Sequence, residues 1–468
     1  MFLRSCEEEI TTPLKGKTTG HIPLWLQGTL LRNGPGTLKV GSMSFDHMFD
    51  GSALLHSFKI SEGTATYQCR FVRTDTYKRN QAANRIVVTE FATESVPDPC
   101  HTIFDRFTAF FKPLEKLSDN TVVSVYPMGD EIYTFTESPI IHRMDPKTLK
   151  TLERKDLTKD FAIVNHSAHP HILPNGDMFE NAHIVGSMKP RWQMHPAYMH
   201  SFGITENYFV LIEQPMTISL RTVLWNVFLD KPFASALQWY PKLETNIVLI
   251  SRETGEEVRR YITETLFYFH VINAFEHDQS LVLDLCTYKD AKILNGMYIK
   301  AMQSIQSNAD CAEWFRARAK RLEMPLEAPA MTFVEAKLLA DIGCETPRIH
   351  YDMYNGRSYR YFYAISSDID NIKPGAVVKV DTWTGDYKTW FEADSFASEP
   401  VFVPEPQAQE EDAGILLCVL LCGSHACRIS LLLLDARTML EVGRVTFDTP
   451  SPAPKCFHGW FISERVQP

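Results

Sequence analysis

"VVKVDTWTGDYKTWF" at residues 377–391 and "LLLLDARTMLEVGRVTF" at 431–447 share one pattern: an apolar strand, Asp, two residues, Thr, and a second strand. Two further stretches fit it, "IIHRMDPKTLKTLERKD" at 140–156 and "IVLISRETGEEVRRYI" at 247–262, the latter with Ser251 in place of Asp. Asp or Ser followed by Thr three residues later suits a hairpin turn, because short polar side chains bond the local backbone. Gly255 and Gly385 stand where such turns need positive φ. The last two copies are 54 residues apart, close to one four-stranded blade. Regular hairpins over most of a chain mean a sandwich, a barrel or a propeller. The length and the recurring outer hairpin favour an all-β propeller. "ILNGMYIKAMQSIQSNADCAEWFRARAKRLE" (293–323) reads as the one helical island, a cap over the top face. No linker rich in Gly, Ser or Pro divides the chain, so residues 1–468 read as a single domain.

The chain is 44% hydrophobic and 22% charged, the balance of a globular protein with a large core. A net charge of −10 argues against a nucleic-acid partner, which needs a concentrated basic surface. "RARAKR" (316–321) is the only short basic cluster and reads as a solvated helix face. "MFLRSCEEEITTPLKGK" turns acidic at once and shows no apolar core of a secretory signal. The longest apolar run, "AGILLCVLLC" (413–422), is about half of what a membrane-crossing helix needs. The ten cysteines have no framework spacing, and Cys418, Cys422 and Cys427 lie in or beside that strand. They predict free thiols in a reduced, cytoplasmic protein.

"NHSAHPHILPNGD" (165–177) puts His166, His169 and His171 within six positions, entering a Pro-Asn-Gly turn. Other histidines keep similar company at strand boundaries: His200 in "MHSFGITENYFVLIEQP", His270 in "LFYFHVINAFE" and His458 in "KCFHGWF". Innermost propeller strands converge on the axis, so one His from each of several blades can meet there. Neutral nitrogen ligands suit iron and copper as well as zinc. Spacing alone leaves ordinary core histidines and a metal site both open.

Several motifs resemble the carotenoid cleavage oxygenase family over nearly the whole chain. They are "LRNGPG" (31–36), "FDGSALLHSF" (49–58), "PDPC" (97–100), "HSFGITENY" (200–208), "EPVFVP" (399–404) and "FHGWF" (457–461). The resemblance implies a seven-bladed propeller with a non-haem Fe(2+) ion held by four histidines. Matched position by position, these are His169, His200, His270 and His458; His171 matches a non-ligand, and His166 has no role. Glu137 in "FTESP", Glu345 in "GCETPRI" and Glu399 in "SEPVF" match acids behind the ligands, where a carboxylate fixes each imidazole's tautomer and orientation. Phe49, Phe91, Thr136 and, more weakly, Tyr288 match the substrate cavity. The implied reaction adds dioxygen across one carotenoid double bond and releases two aldehydes. Central cleavage gives retinal, with or without all-trans to 11-cis isomerisation of one half. The same motifs admit a retinoid isomerohydrolase, or an inactive carotenoid- or retinoid-binding propeller.

A carotenoid comes from a membrane or a lipid carrier, so the entrance is expected to be apolar. "HTIFDRFTAFFK" (101–112) sets Phe104, Phe107 and Phe111 at helical spacing, followed by Lys112 and Lys116, and suits peripheral membrane contact. The adjoining Cys100 matches a position acylated in some relatives. After "HPHILPNGD" the family carries further strand sequence, whereas here Asp177 runs directly into Met178. One blade is therefore expected to be short near 177–178, with unpaired edges.

Overall fold

Strand Gly414–Cys422 shows how the sheets are assembled. Its odd residues Ile415, Leu417, Val419 and Leu421 share a core with Leu30, Leu54 and Phe58. Its even residues Leu416, Cys418 and Leu420 share another with Tyr363 and Val377. Successive strand side chains point to opposite faces, so this strand is covered on both sides and reads as a continuous apolar run. A different sheet lies on each face.

The computed structural model describes residues 2–96, 118–161, 166–173, 178–179, 196–305 and 309–464. Among them, six antiparallel-rich sheets have four to six strands, and three more are two-stranded. The packing of Gly414–Cys422 recurs around the chain. Leu31 packs with Val125 and Phe135 of the next sheet, and Ala168 and Ile172 join that same core. Leu173 lies against Phe202 and Phe209. Leu249 packs with Leu283, and Val282 with Phe362 and Val378. Both ends of the chain are tied in: Lys17–Gly20 pairs with Glu441–Asp448, and Gly28–Thr37 with Gly459–Ser463.

The four repeated turns each join two neighbouring strands. The backbone N–H of Thr148 and of Thr438 donates to the carboxylate of Asp145 and Asp435 (2.9 and 2.8 Å), and Thr254 N–H to Ser251 Oγ (3.3 Å). Gly255 and Gly385 have φ of 71° and 78°. Nine cysteines are described, all as free thiols. No described helix is long and apolar enough to cross a membrane.

The structure corrects the helical island. Short helices occupy Lys292–Gly296, Ile299–Ser304 and Ala309–Trp314, but Arg318–Pro325 is a strand. "RARAKR" is thus no helix face. Its charges are spent on neighbours: Arg321 forks onto buried Asp284 (2.8 Å twice) and Lys320 pairs with Glu264. Those tertiary partners override the local helical pattern. The junction at 177–178, Cys100, Phe104, Phe107 and Phe111 lie at or beyond the limits of the described residues; among those described, His171–Ile172 pairs with Met178–Phe179.

Candidate metal centre

Four separate sheets deliver one histidine each. His169, His200 and His458 lie just ahead of strands His171–Ile172, Gly203–Ile204 and Gly459–Ser463. His270 sits inside Phe267–His277, where the pairing slips between Tyr268 and Val271; such a bulge re-aims a side chain. One nitrogen from each of the four lies within 4.8 Å of all the others. His169 Nε2 and His200 Nε2 are 3.1 Å apart.

Three other sheets or their loops deliver the acids. His200 Nδ1–H donates to Glu137 Oε1 (2.6 Å), His270 Nδ1–H to Glu345 Oε2 (2.5 Å) and His458 Nδ1–H to Glu399 Oε1 (2.8 Å). Each bond leaves the Nε2 lone pair facing inward. Among the described residues His169 has no carboxylate partner; its Nδ1 lies 3.4 Å from the Tyr126 hydroxyl.

Electrostatics favour neutral imidazoles here. Burial lowers the His458 pKa to about 4 despite the opposing pull of Glu399. Burial, then the other three histidines, holds His169 well below the usual range. Burial also lowers His200, against Glu137. For Glu399, burial opposes ionisation, but Arg348, His458 and Arg32 overcome it and hold the carboxyl far below the normal range. Glu345 is lowered too: His270, the Thr346 N–H and Tyr288 outweigh its burial.

A cation fits this arrangement. Buried His270 Nε2 has no hydrogen-bond partner among the described residues, and an orphaned buried group costs about 1–3 kcal/mol. Imidazole nitrogens at about 2.1 Å from one ion lie at most about 4.2 Å apart, a small contraction of the observed spread.

The remaining candidates fall in two groups. Phe49, Phe91 and Tyr288 join one apolar cluster with Phe269, and the Phe269 ring lies 5.0 Å from His200. Phe49 also meets Phe457, the neighbour of His458, at 5.8 Å. Thr136 is half-buried beside Glu137. His171 and His166 point away from the centre: His171 bonds Tyr351 and Phe202, and His166 Nδ1 lies 2.8 Å from the Ser167 carbonyl. Sequence reasoning missed Arg32, Arg348 and Tyr198. Arg32 (0% exposed) bonds Glu399 Oε2 at 2.9 Å, Arg348 Nε stands 3.0 Å from Glu399 Oε1, and Tyr198 O–H donates to Glu137 at 2.7 Å. An arginine inside the apolar strand "GTLLRNGPGT" was the available signal for the first.

A sheet assembly that converges four histidines, three of them backed by carboxylates, defines a class of metal-centred protein, and comparison with known proteins supplies the family. The model of the retinal pigment epithelial membrane protein family matches residues 3–463, and the chain belongs to that family. It is 58% identical to the carotenoid isomerooxygenase of Galleria mellonella over all of this chain and 97% of the relative. That alignment runs over 497 positions against 468 residues, so the relative carries residues this chain lacks. The carotenoid isomerooxygenase of Drosophila melanogaster is 40% identical, covering 100% of this chain and 93% of the relative. A variant of the Synechocystis apocarotenoid oxygenase is 25% identical, with a TM-score of 0.80 over 99% of this chain and 98% of its own.

Proposed function

We propose that this chain is a non-haem iron dioxygenase that cleaves a carotenoid centrally to retinal, with His169, His200, His270 and His458 as the Fe(2+) ligands. The observation that carries this reading is the convergence of four imidazoles, three of them backed by Glu137, Glu345 and Glu399. The names of the insect relatives support the substrate class, with isomerisation of one half included. Seven sheets each give one histidine or one glutamate, and each packs on the next, which supports a single-domain, seven-bladed propeller with one short blade.

When bound, ferrous iron supplies a redox-active centre with coordination positions left for dioxygen. In the balanced reaction one double bond and the O–O bond break, and each carbon leaves with one oxygen as an aldehyde. The protein's own residues place and stabilise. Phe269 packs against His200, Phe49 against Phe269, and Phe91 against Phe49, an aromatic row that would stabilise positive charge developing along a polyene. Thr136 sits at the Glu137 end and Tyr288 at the Glu345 end, where it helps to lower that carboxyl's pKa. Protein loaded with Fe(2+) and incubated with β-carotene under air is expected to yield retinal on chromatography. Iron-loaded, folded protein that leaves β-carotene intact would sink the proposal.

We place the substrate's source at the cytoplasmic face of a lipid layer. Phe104, Phe107 and Phe111 remain the sequence-based candidates for contact, and helix Leu220–Leu229 adds structural support. Leu220, Leu224 and Leu229 are 51%, 70% and 42% exposed, with Arg221 among them for headgroups. Val223 of the same helix packs against the cluster that holds Phe49, Phe91 and Tyr288. The helix thus joins this surface to the apolar cluster beside His200. Each leucine that leaves water contributes about 1.5–3 kcal/mol. The double variant Leu220→Ser/Leu224→Ser is therefore expected to float with liposomes at least about tenfold less well. Flotation equal to the parent chain would remove this helix from the contact.

A further inference from the structure

His171 is not one of the four converging histidines, yet its hydrogen bonds are complete and directional. Tyr351 O–H donates to His171 Nδ1 (3.0 Å), and the same oxygen accepts the Ile172 N–H (3.1 Å). His171 Nε2–H donates to the Phe202 carbonyl (2.9 Å). This fixes the imidazole as the Nε2–H tautomer with its Nδ1 lone pair already engaged, so it is not free to ligate. The Tyr351 ring packs edge-on to Trp460 at 5.5 Å. Three of these partners stand two residues after a candidate ligand: His171 after His169, Phe202 after His200, and Trp460 after His458.

Among the described residues, the strand that begins at His171 pairs with Met178 and Phe179. The Ser167 hydroxyl accepts the His169 N–H (2.9 Å) and donates to the His200 carbonyl (2.6 Å), which ties those two segments from one side. Tyr351, in the short helix Tyr351–Tyr354, ties them from the other and adds the His458 segment.

We propose that Tyr351 and His171 act together as positioning residues that set the mutual spacing of His169, His200 and His458. The inference rests on the reading above that these histidines hold a metal ion. Neither residue touches the ion or the substrate. They act through residues two or three positions after each ligand, and so set metal affinity and ligand geometry.

Cobalt(II) is the probe, with affinity read by chelator competition and geometry by its visible absorption. Tyr351→Phe keeps the ring on Trp460 and removes only the hydroxyl. It is expected to weaken cobalt binding by roughly 10- to 100-fold, the usual cost of losing a residue behind a ligand, and to shift the absorption bands. His171→Gln, a second variant should the first not fold, is expected to do the same. Residues that act as one unit are not additive, so the double variant should bind within about threefold of the weaker single variant. A merely structural role would lower the melting temperature and leave cobalt affinity and spectrum unchanged; that result overturns the proposal, as do additive losses. A parent chain that fails to bind cobalt overturns the metal reading itself, so the two failures are distinguishable.

Discussion

His200→Ala is expected to lose its iron and all carotenoid cleavage, while His166→Ala keeps both. The two histidines are buried in the same region, so composition and burial do not separate them. Geometry does. His200 turns Nδ1 to Glu137 and Nε2 to the shared centre, where His169 Nε2 stands 3.1 Å away. His166 spends Nδ1 on the Ser167 carbonyl and packs edge-on to Phe135 at 6.1 Å. Removing one of four ligands also leaves Glu137 without its imidazole partner, beside the Tyr198 hydroxyl. Iron per folded chain, measured after desalting, checks the first half, and retinal formation the second. Equal iron loss in the two variants would count against the ligand set.

What could be read in advance follows from how local each signal is. The hairpins were legible because Asp145–Thr148 and Asp435–Thr438 make their hydrogen bonds within one turn. His169, His200 and His458 were legible beside strand boundaries and His270 inside an apolar strand, but spacing alone left their meeting open; only the resemblance joined residues as distant as His169 and His458. The strand at Arg318–Pro325 was misread because its partners, Asp284 on the next strand and Glu264 in a loop, are distant in sequence and no local pattern announces them. The outward face of Leu220–Leu229 was missed for a related reason. An apolar helical stretch gives the same periodicity whether it faces core or lipid, and only exposure in the fold separates them. The tie from Tyr351 to His171 spans 180 residues and was invisible for the same cause.

Glu399→Gln is expected to be the most destabilising of the three glutamate substitutions, by about 3–5 kcal/mol, the cost of breaking a buried ion pair from one side. Arg32 and Glu399 are 0% and 3% exposed at the side chain, and Arg348 shares the same carboxylate. Glutamine is neutral, so both guanidiniums would be left buried without a counter-charge. The Gly459 N–H, which donates to Glu399 Oε2 at 3.0 Å, keeps an acceptor only if the amide turns its oxygen that way. Glu137 and Glu345 have no arginine against them in any hydrogen bond or ion pair described, so their glutamine variants lose ligand orientation and less stability. Asp448→Asn breaks the Arg428 pair, whose side chains are 41% and 69% exposed, and should cost no more than about 1 kcal/mol. The pH dependence gives an independent check. The folded-state pKa of Glu399 lies below its unfolded value of about 4.3, so its contribution is complete above that pH and is lost as pH falls towards the folded value. In urea melts the gap between the parent chain and Glu399→Gln should therefore be widest at neutral pH and narrow steadily below about pH 4.3. A gap that stays constant from pH 7 to pH 3 would mean that the carboxylate charge is not what holds Arg32, Arg348 and His458 together.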